Sequence, residues 1–206
     1  MNERQRESNQ HQPQEDTEHS AEAEPNPSPA IYVASLADYN NGVLHGTWLD
    51  AARDPEVIHA DIDAMLARSR DPGAEEWAIH DFEQFGSWKV HEHDSIERVS
   101  RIARNIAEHG YAYAAWVDVF DGEEASLDTD SFSEAYLGHF DSVQDYVEHM
   151  ADDLGYEQEL AKLPEYLQAY TRIDYAALAR DLELSGEVAA VRDPTGGVWL
   201  FRTDAS

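Results

Sequence analysis

Ile31-Tyr32-Val33-Ala34-Ser35-Leu36 is the stretch from which the fold reads outward. Its β-branched, aromatic and small apolar residues have the composition of a strand. Leu44 to Leu49 is a second candidate strand. Asn40-Asn41-Gly42 between them is a turn signal, in a loop longer than a tight hairpin. A helix follows, with Asp54 placed to cap it and Pro55 suited to its first turn. Ile58, Ile62, Met65 and Leu66 then recur on one helical face. Asp71-Pro72-Gly73 breaks the chain, and Glu76 to Phe82 reads as another strand. Together these make a small ββαβ unit.

Beyond it, Ser95 to His109 reads as a helix with Asp94 or Ser95 as cap, and Asp94 with Glu97 resembles a capping box. Ile96, Val99, Ala103 and Ile106 form its apolar stripe, and Gly110 closes it. Tyr111 to Phe120 reads as a short helix, Asp121 to Asp130 as a loop, and Ser142 to Leu154 as a helix with Val143, Tyr146, Val147 and Met150 on one side. Helical stretches are expected from Pro164 to Tyr170 and from Tyr175 to Leu182. The pattern ends in a hairpin, Glu187–Arg192 and Val198–Arg202 about the turn Asp193-Pro194-Thr195-Gly196-Gly197. The fold class is therefore α+β, an elongated chain of about three small domains. Residues 31–90 form the N-terminal α/β domain, 91–140 a mainly helical centre, and 141–206 a helical and β-hairpin domain. Residues 1–30, rich in Gln, Glu, Asn, Ser and Pro, are expected to be a disordered acidic tail.

Charge is the outlying quantity. Forty-three acids against fourteen bases give −29 in 206 residues. The tail carries −5, leaving −24 on the remaining 176 residues, so it does not explain the charge. Self-repulsion on this scale costs stability, and it argues against binding nucleic acid or an anionic membrane, since both need positive surface. Four readings remain: a halophile surface, a divalent-cation binder, an acidic tail, or a ligand for a basic groove. There are no cysteines, which suits a reducing cytoplasm and removes disulfide, thiolate-metal and cysteine-nucleophile chemistry. No apolar run approaches a membrane span, and MNERQRESNQHQPQ offers no apolar core for a secretion signal.

The charge is also segregated. From Asn105 to Ala161, 57 residues contain no Lys or Arg but fifteen acids. Helices in this segment therefore lack the i,i+4 ion pairs of ordinary soluble helices. Its aromatic residues, among them Tyr113, Trp116, Phe120, Phe132 and Tyr136, nevertheless imply a packed core. The expected partner-binding surface is Asp118, Asp121, Glu123, Glu124, Asp128, Asp130, Glu134, Asp141, Asp145, Glu148, Asp152, Asp153, Glu157 and Glu159. A solvated acidic face is the plainer reading, but the magnitude weakens it. Duplex DNA carries one charge per ~1.7 Å of axis, so the charge outside the tail matches roughly 40 Å of duplex.

Patterns that resemble chemistry are weaker. His91-Glu92-His93 with Asp94 has metal-ligand residue types but no third ligand of known proximity. Asp128-Thr129-Asp130 resembles a calcium-loop fragment but lacks the required glycine and closing glutamate. No phosphate-binding glycine loop, zinc-protease motif or nucleophile elbow is present. No catalytic residue, cofactor or metal is expected.

Three stretches resemble the ArdA antirestriction family. They are Ile31–Gly42 continuing through Leu44-His45-Gly46-Thr47-Trp48-Leu49-Asp50, then Glu75-Glu76-Trp77-Ala78-Ile79-His80-Asp81-Phe82-Glu83, and then Leu163-Pro164-Glu165-Tyr166-Leu167 with Asp174-Tyr175-Ala176-Ala177-Leu178-Ala179-Arg180-Asp181-Leu182. The third is similar to the family's antirestriction motif, with Ala176 where an acid is common. The resemblance implies small domains in a curved rod, acidic along its length like bent B-form DNA. It also implies a dimer through the C-terminal domains and inhibition of type I restriction-modification enzymes at their DNA-binding groove. Apolar Val188, Val191, Val198, Leu200 and Phe201 on the terminal hairpin are the expected dimer contact. Two other classes of function compete: an acidic scaffold or regulator of another basic DNA-binding protein, and an enzyme using paired carboxylates or a His-carboxylate metal site.

Overall fold

A computed structural model describes residues 26–120 and 129–203. Most of the expected tail, and the acids Asp121, Glu123, Glu124 and Asp128, lie outside the described residues. Among the described residues the chain forms nine helices and two three-stranded antiparallel sheets, a mixed α+β fold. None of these helices is long and apolar enough to cross a membrane.

The first sheet contains β1 (Ala30–Ser35), β2 (Gly46–Asp50) and β3 (Trp77–Glu83), with β1 in the middle. Folded chain begins slightly before Ile31: Ala30 pairs with Asp50 and Glu83, and Ala51 N–H donates to the Pro29 carbonyl at 2.9 Å. The β1–β3 register shifts between Tyr32 and Val33, leaving His80 as the extra residue of a bulge. Between β1 and β2 the chain makes a one-turn helix, α1 (Leu36–Asn40), where the sequence suggested only a turn. Ser35 caps it, its Oγ accepting from Asp38 N–H at 3.3 Å. The expected turn comes just after, with Gly42 at φ 74°.

Helix α2 (Pro55–Leu66) buries Ile58, Ile62 and Met65, as its periodicity requires. Asp54 occupies the N-cap position but makes no capping hydrogen bond; its carboxylate instead accepts from Arg104 Nη1 at 3.1 Å. Helix α3 (Ile96–His109) is capped by Ser95, whose Oγ accepts from Arg98 N–H, while Asp94 accepts from His91 N–H at 2.8 Å. Helix α4 (Tyr111–Phe120) buries every residue from Ala112 to Val117. A helix apolar on all sides belongs in the middle of a core.

Next, α5 (Thr129–Ala135) runs directly into β4 (Tyr136–Phe140). Thr129 and Asp130, expected in a loop, are thus the first turn of a helix. Helices α6 (Val143–Asp153), α7 (Tyr156–Leu160), α8 (Glu165–Gln168) and α9 (Tyr175–Ser185) lead to β5 (Val188–Arg192) and β6 (Val198–Arg202). The terminal hairpin is not a free two-stranded ribbon. β4 adds to its far side, and β6 becomes the central strand in the order β4-β6-β5.

One hydrophobic cluster extends from Ile31 and Val33 through α3 and α4 to Phe132 and Phe201. A smaller one joins Val143 and Val147 of α6, Ala179 of α9, and Val188 and Leu200 of the second sheet.

Asp38 of α1 is a buried acid, at 2% exposure. Ser69 Oγ donates to its carboxylate at 2.5 Å and itself accepts from Asp71 N–H, tying α1 to the connection between α2 and β3. The Ser69 hydrogen bond, working against burial, holds the Asp38 carboxyl below its ordinary range, with Ser35, the Arg70 backbone and His45 adding to it. A depressed carboxyl contributes stability above the unfolded-state value of about 3.9 and loses it as pH falls through the folded value. Asp38→Asn is therefore expected to lower the Tm at pH 7, with the gap from the parent narrowing below about pH 4. A gap unchanged by pH in melts from pH 7 to 3 would contradict this role.

Candidate partner-binding acidic surface

Ten of the fourteen expected surface acids lie on described residues. Asp118 is on the outer side of α4, and Asp130 and Glu134 are on α5. Asp141 precedes α6, which carries Asp145, Glu148, Asp152 and Asp153, and α7 carries Glu157 and Glu159. All are exposed except Asp145, which is half-buried.

Helical periodicity explains this placement on α6. Val143, Val147 and Ala151 are buried at spacings of four. Asp145, Glu148 and Asp152, spaced by three and four, therefore fall on the opposite side. Asp145 differs from the others because it helps to form the helix start. Its N–H donates to Ser142 Oγ at 3.1 Å, and its carboxylate accepts from Asp141 N–H at 3.3 Å. An anion in the first turn also favours the helix dipole.

The fold brings acids of separate elements together around Tyr175 at the start of α9. Its hydroxyl donates to Glu157 Oε1 at 3.2 Å. Burial, the Glu157 bond and the charges of Glu157, Glu148 and Asp152 hold the phenol above its ordinary range. A second phenol, Tyr136, is pushed in the same direction by burial and by Asp193. Tyr175 thus marks where α6 and α7 concentrate negative potential, a gathering that linear sequence does not reveal. Counter-charge is sparse here. Among the described residues, only Glu159 of the ten is paired with a Lys or Arg, namely Lys162. His149 lies 3.6 Å from Asp145 and neutralises it only when protonated.

The hairpin residues expected at a dimer contact are occupied within the chain. Val188 and Leu200 are buried in the smaller cluster and Phe201 in the larger one, against Phe132 and Tyr136. Val191 and Val198 are half-buried beside these clusters. The physical reason is β4, which makes β6 a central strand and gives its apolar residues partners. Exposed apolar residues occur elsewhere, on the stretch from α6 to α9: Leu154, Tyr156, Tyr166, Leu167, Tyr170 at 88% exposure, and Leu184. Helices α7 and α8 bury no residue. Sequence reading missed this surface; apolar residues such as Tyr166 and Tyr170 recur one helical turn apart there, a pattern that suggests burial rather than exposure.

His91, Glu92 and His93 are exposed. Among the described residues no group of three or more His, Asp or Glu side chains is placed to hold a metal ion.

A family model described as antirestriction protein (ArdA) matches residues 31–195. No curated protein matches the chain.

Proposed function

We propose, from the premise that this chain belongs to the ArdA antirestriction family, that it acts as a mimic of B-form DNA. In this reading its acidic surface occupies the DNA-binding groove of type I restriction-modification enzymes. The observation that carries the reading is the exposure of carboxylates along α4, α5, α6 and α7 with little counter-charge. A folded scaffold holds these charges in place, so a basic groove meets them already ordered, and ordering entropy is small. The groove's Lys and Arg residues make salt-sensitive contacts to phosphates, and carboxylates offer the same charge-assisted acceptors. No bond is made or broken; inhibition is competition for one surface, in the cytoplasm where restriction acts. Neither a cofactor nor a metal enters this mechanism.

The same reading includes a homodimer. Tyr166, Leu167 and Tyr170 on and after α8 are exposed, and they lie among charges of both signs: Lys162, Glu165, Arg172 and Asp174. A patch with balanced charge is better suited to face a second copy than the single-sign surface of α6.

The test is displacement. Purified chain is expected to release a labelled duplex from a type I methylase core, with duplex and protein excluding each other. Simultaneous binding of both, or no binding to the core, would reject mimicry.

A further inference from the structure

Phosphate-like charge does not account for everything a DNA-binding groove contacts. Protein side chains in grooves also meet sugars, base edges and thymine methyl groups, and some of that contact is apolar. The corner between α6 and α7 supplies such a component. Helix α6 ends at Asp153, Leu154 forms its C-cap, and the chain reverses at Gly155, with φ 72° and ψ 31°, into Tyr156 of α7. That left-handed conformation suits glycine. Leu154 is 60% exposed and Tyr156 is 37% exposed. Asp152 and Asp153 precede them and Glu157 and Glu159 follow, all exposed.

We propose that Leu154 and Tyr156 form an apolar anchor which inserts into the basic groove of the target enzyme, with the flanking carboxylates meeting its Lys and Arg residues. This rests on the reading above and locates its centre of affinity. Charge decides the occupant. The segment from Asn105 to Ala161 has no Lys or Arg, so a second copy set against this corner would bring acids against acids. Nucleic acid and anionic lipid are repelled in the same way. A cation-rich protein surface is attracted, and burying a leucine and a tyrosine at its centre adds affinity that salt does not screen.

The test uses the full chain, a purified type I methylase core and a labelled duplex, with displacement measured at several salt concentrations. Leu154→Ser with Tyr156→Ser is expected to raise the concentration for half-displacement by about tenfold or more, as truncation of interface anchors does. The slope of log affinity on log salt should stay unchanged, because that slope counts charges. Tyr156→Phe should retain most of the affinity. Tyr156 is only 37% exposed, so the melt of the double variant is measured beside its displacement; Leu154→Gln alone, at the more exposed position, leaves Tyr156 in place and should melt with the parent. Displacement within about threefold of the parent, or a changed salt slope, would overturn the anchor. So would sedimentation showing that the double variant splits a dimer, which would place the corner against another copy. A parent chain that fails to displace the duplex at all would instead sink the mimicry reading, and the anchor with it.

Discussion

Phe132→Ala is expected to destabilise the chain by about 3–5 kcal/mol, the range for truncating a buried aromatic ring. Phe132 is 3% exposed on α5. Its ring lies 5.1 Å from His109, 5.2 Å from Tyr113 and 5.7 Å from Trp116 on one side. On the other it lies 5.2 Å from Tyr136 and 6.4 Å from Phe201. It therefore joins α3 and α4 to β4 and β6 of the second sheet. Removing it leaves a cavity lined by five rings, which cannot collapse without moving both. Phe132→Leu keeps most of the volume and should cost less, on the order of 1–1.5 kcal/mol. For a chain of this size the alanine variant should melt roughly 6–20 °C below the parent. Urea unfolding of the three proteins measures the ordering. A loss below about 1 kcal/mol for Phe132→Ala would mean that the surrounding rings repack freely, contrary to the dense packing expected of a core.

That residue sits in a part of the fold that sequence reading missed, and the reason is physical. β1, β2 and β3 were legible because strand-forming residues stand between strong turn signals. α2 and α3 were legible because four apolar residues in each recur with helical spacing beside a cap and a breaker. The stretch Thr129–Phe140 offers neither cue. α5 has seven residues and β4 five, with no glycine or proline between them. Gly138, at φ 128° where the register with β6 shifts, argues locally against a strand. What makes β4 a strand is pairing with Val198, Trp199, Leu200 and Phe201, about 60 residues later, a tertiary effect outside any local window. The same tertiary pairing bears on the hairpin. β4 pairs with β6, and the apolar side chains of β6 pack within the chain. The acids of α6 were legible as an exposed face because the burial of Val143, Val147 and Ala151 follows from their spacing. Their meeting with Glu157 around Tyr175 was not, since it depends on how α7 and α9 fold back.

The acidic surface should behave as a sum of many weak contacts. Single changes Asp118→Asn, Glu134→Gln, Glu148→Gln and Asp152→Asn are each expected to weaken binding to a type I methylase core by only ~0.2–1 kcal/mol, the range for exposed ion pairs. Asp145 does not belong in this series. Its carboxylate accepts from Asp141 N–H at the start of α6, so Asp145→Asn would disturb the helix as well as the charge. Combining the four with Asp130→Asn and Asp153→Asn should remove about 1–6 kcal/mol if the terms add. Raising salt should weaken binding of the parent more than that of the combined variant, because fewer charges remain to be screened. Stability should move the other way. Removing six like charges from a chain of −29 relieves self-repulsion, so the combined variant should melt no lower than the parent at low salt. Binding and stability moving in opposite directions separates this mechanism from unfolding. It also separates it from catalysis, where losing one carboxylate abolishes turnover while the fold survives. A single amide substitution that eliminated inhibition with the melting temperature unchanged would contradict distributed recognition and point to one indispensable carboxylate.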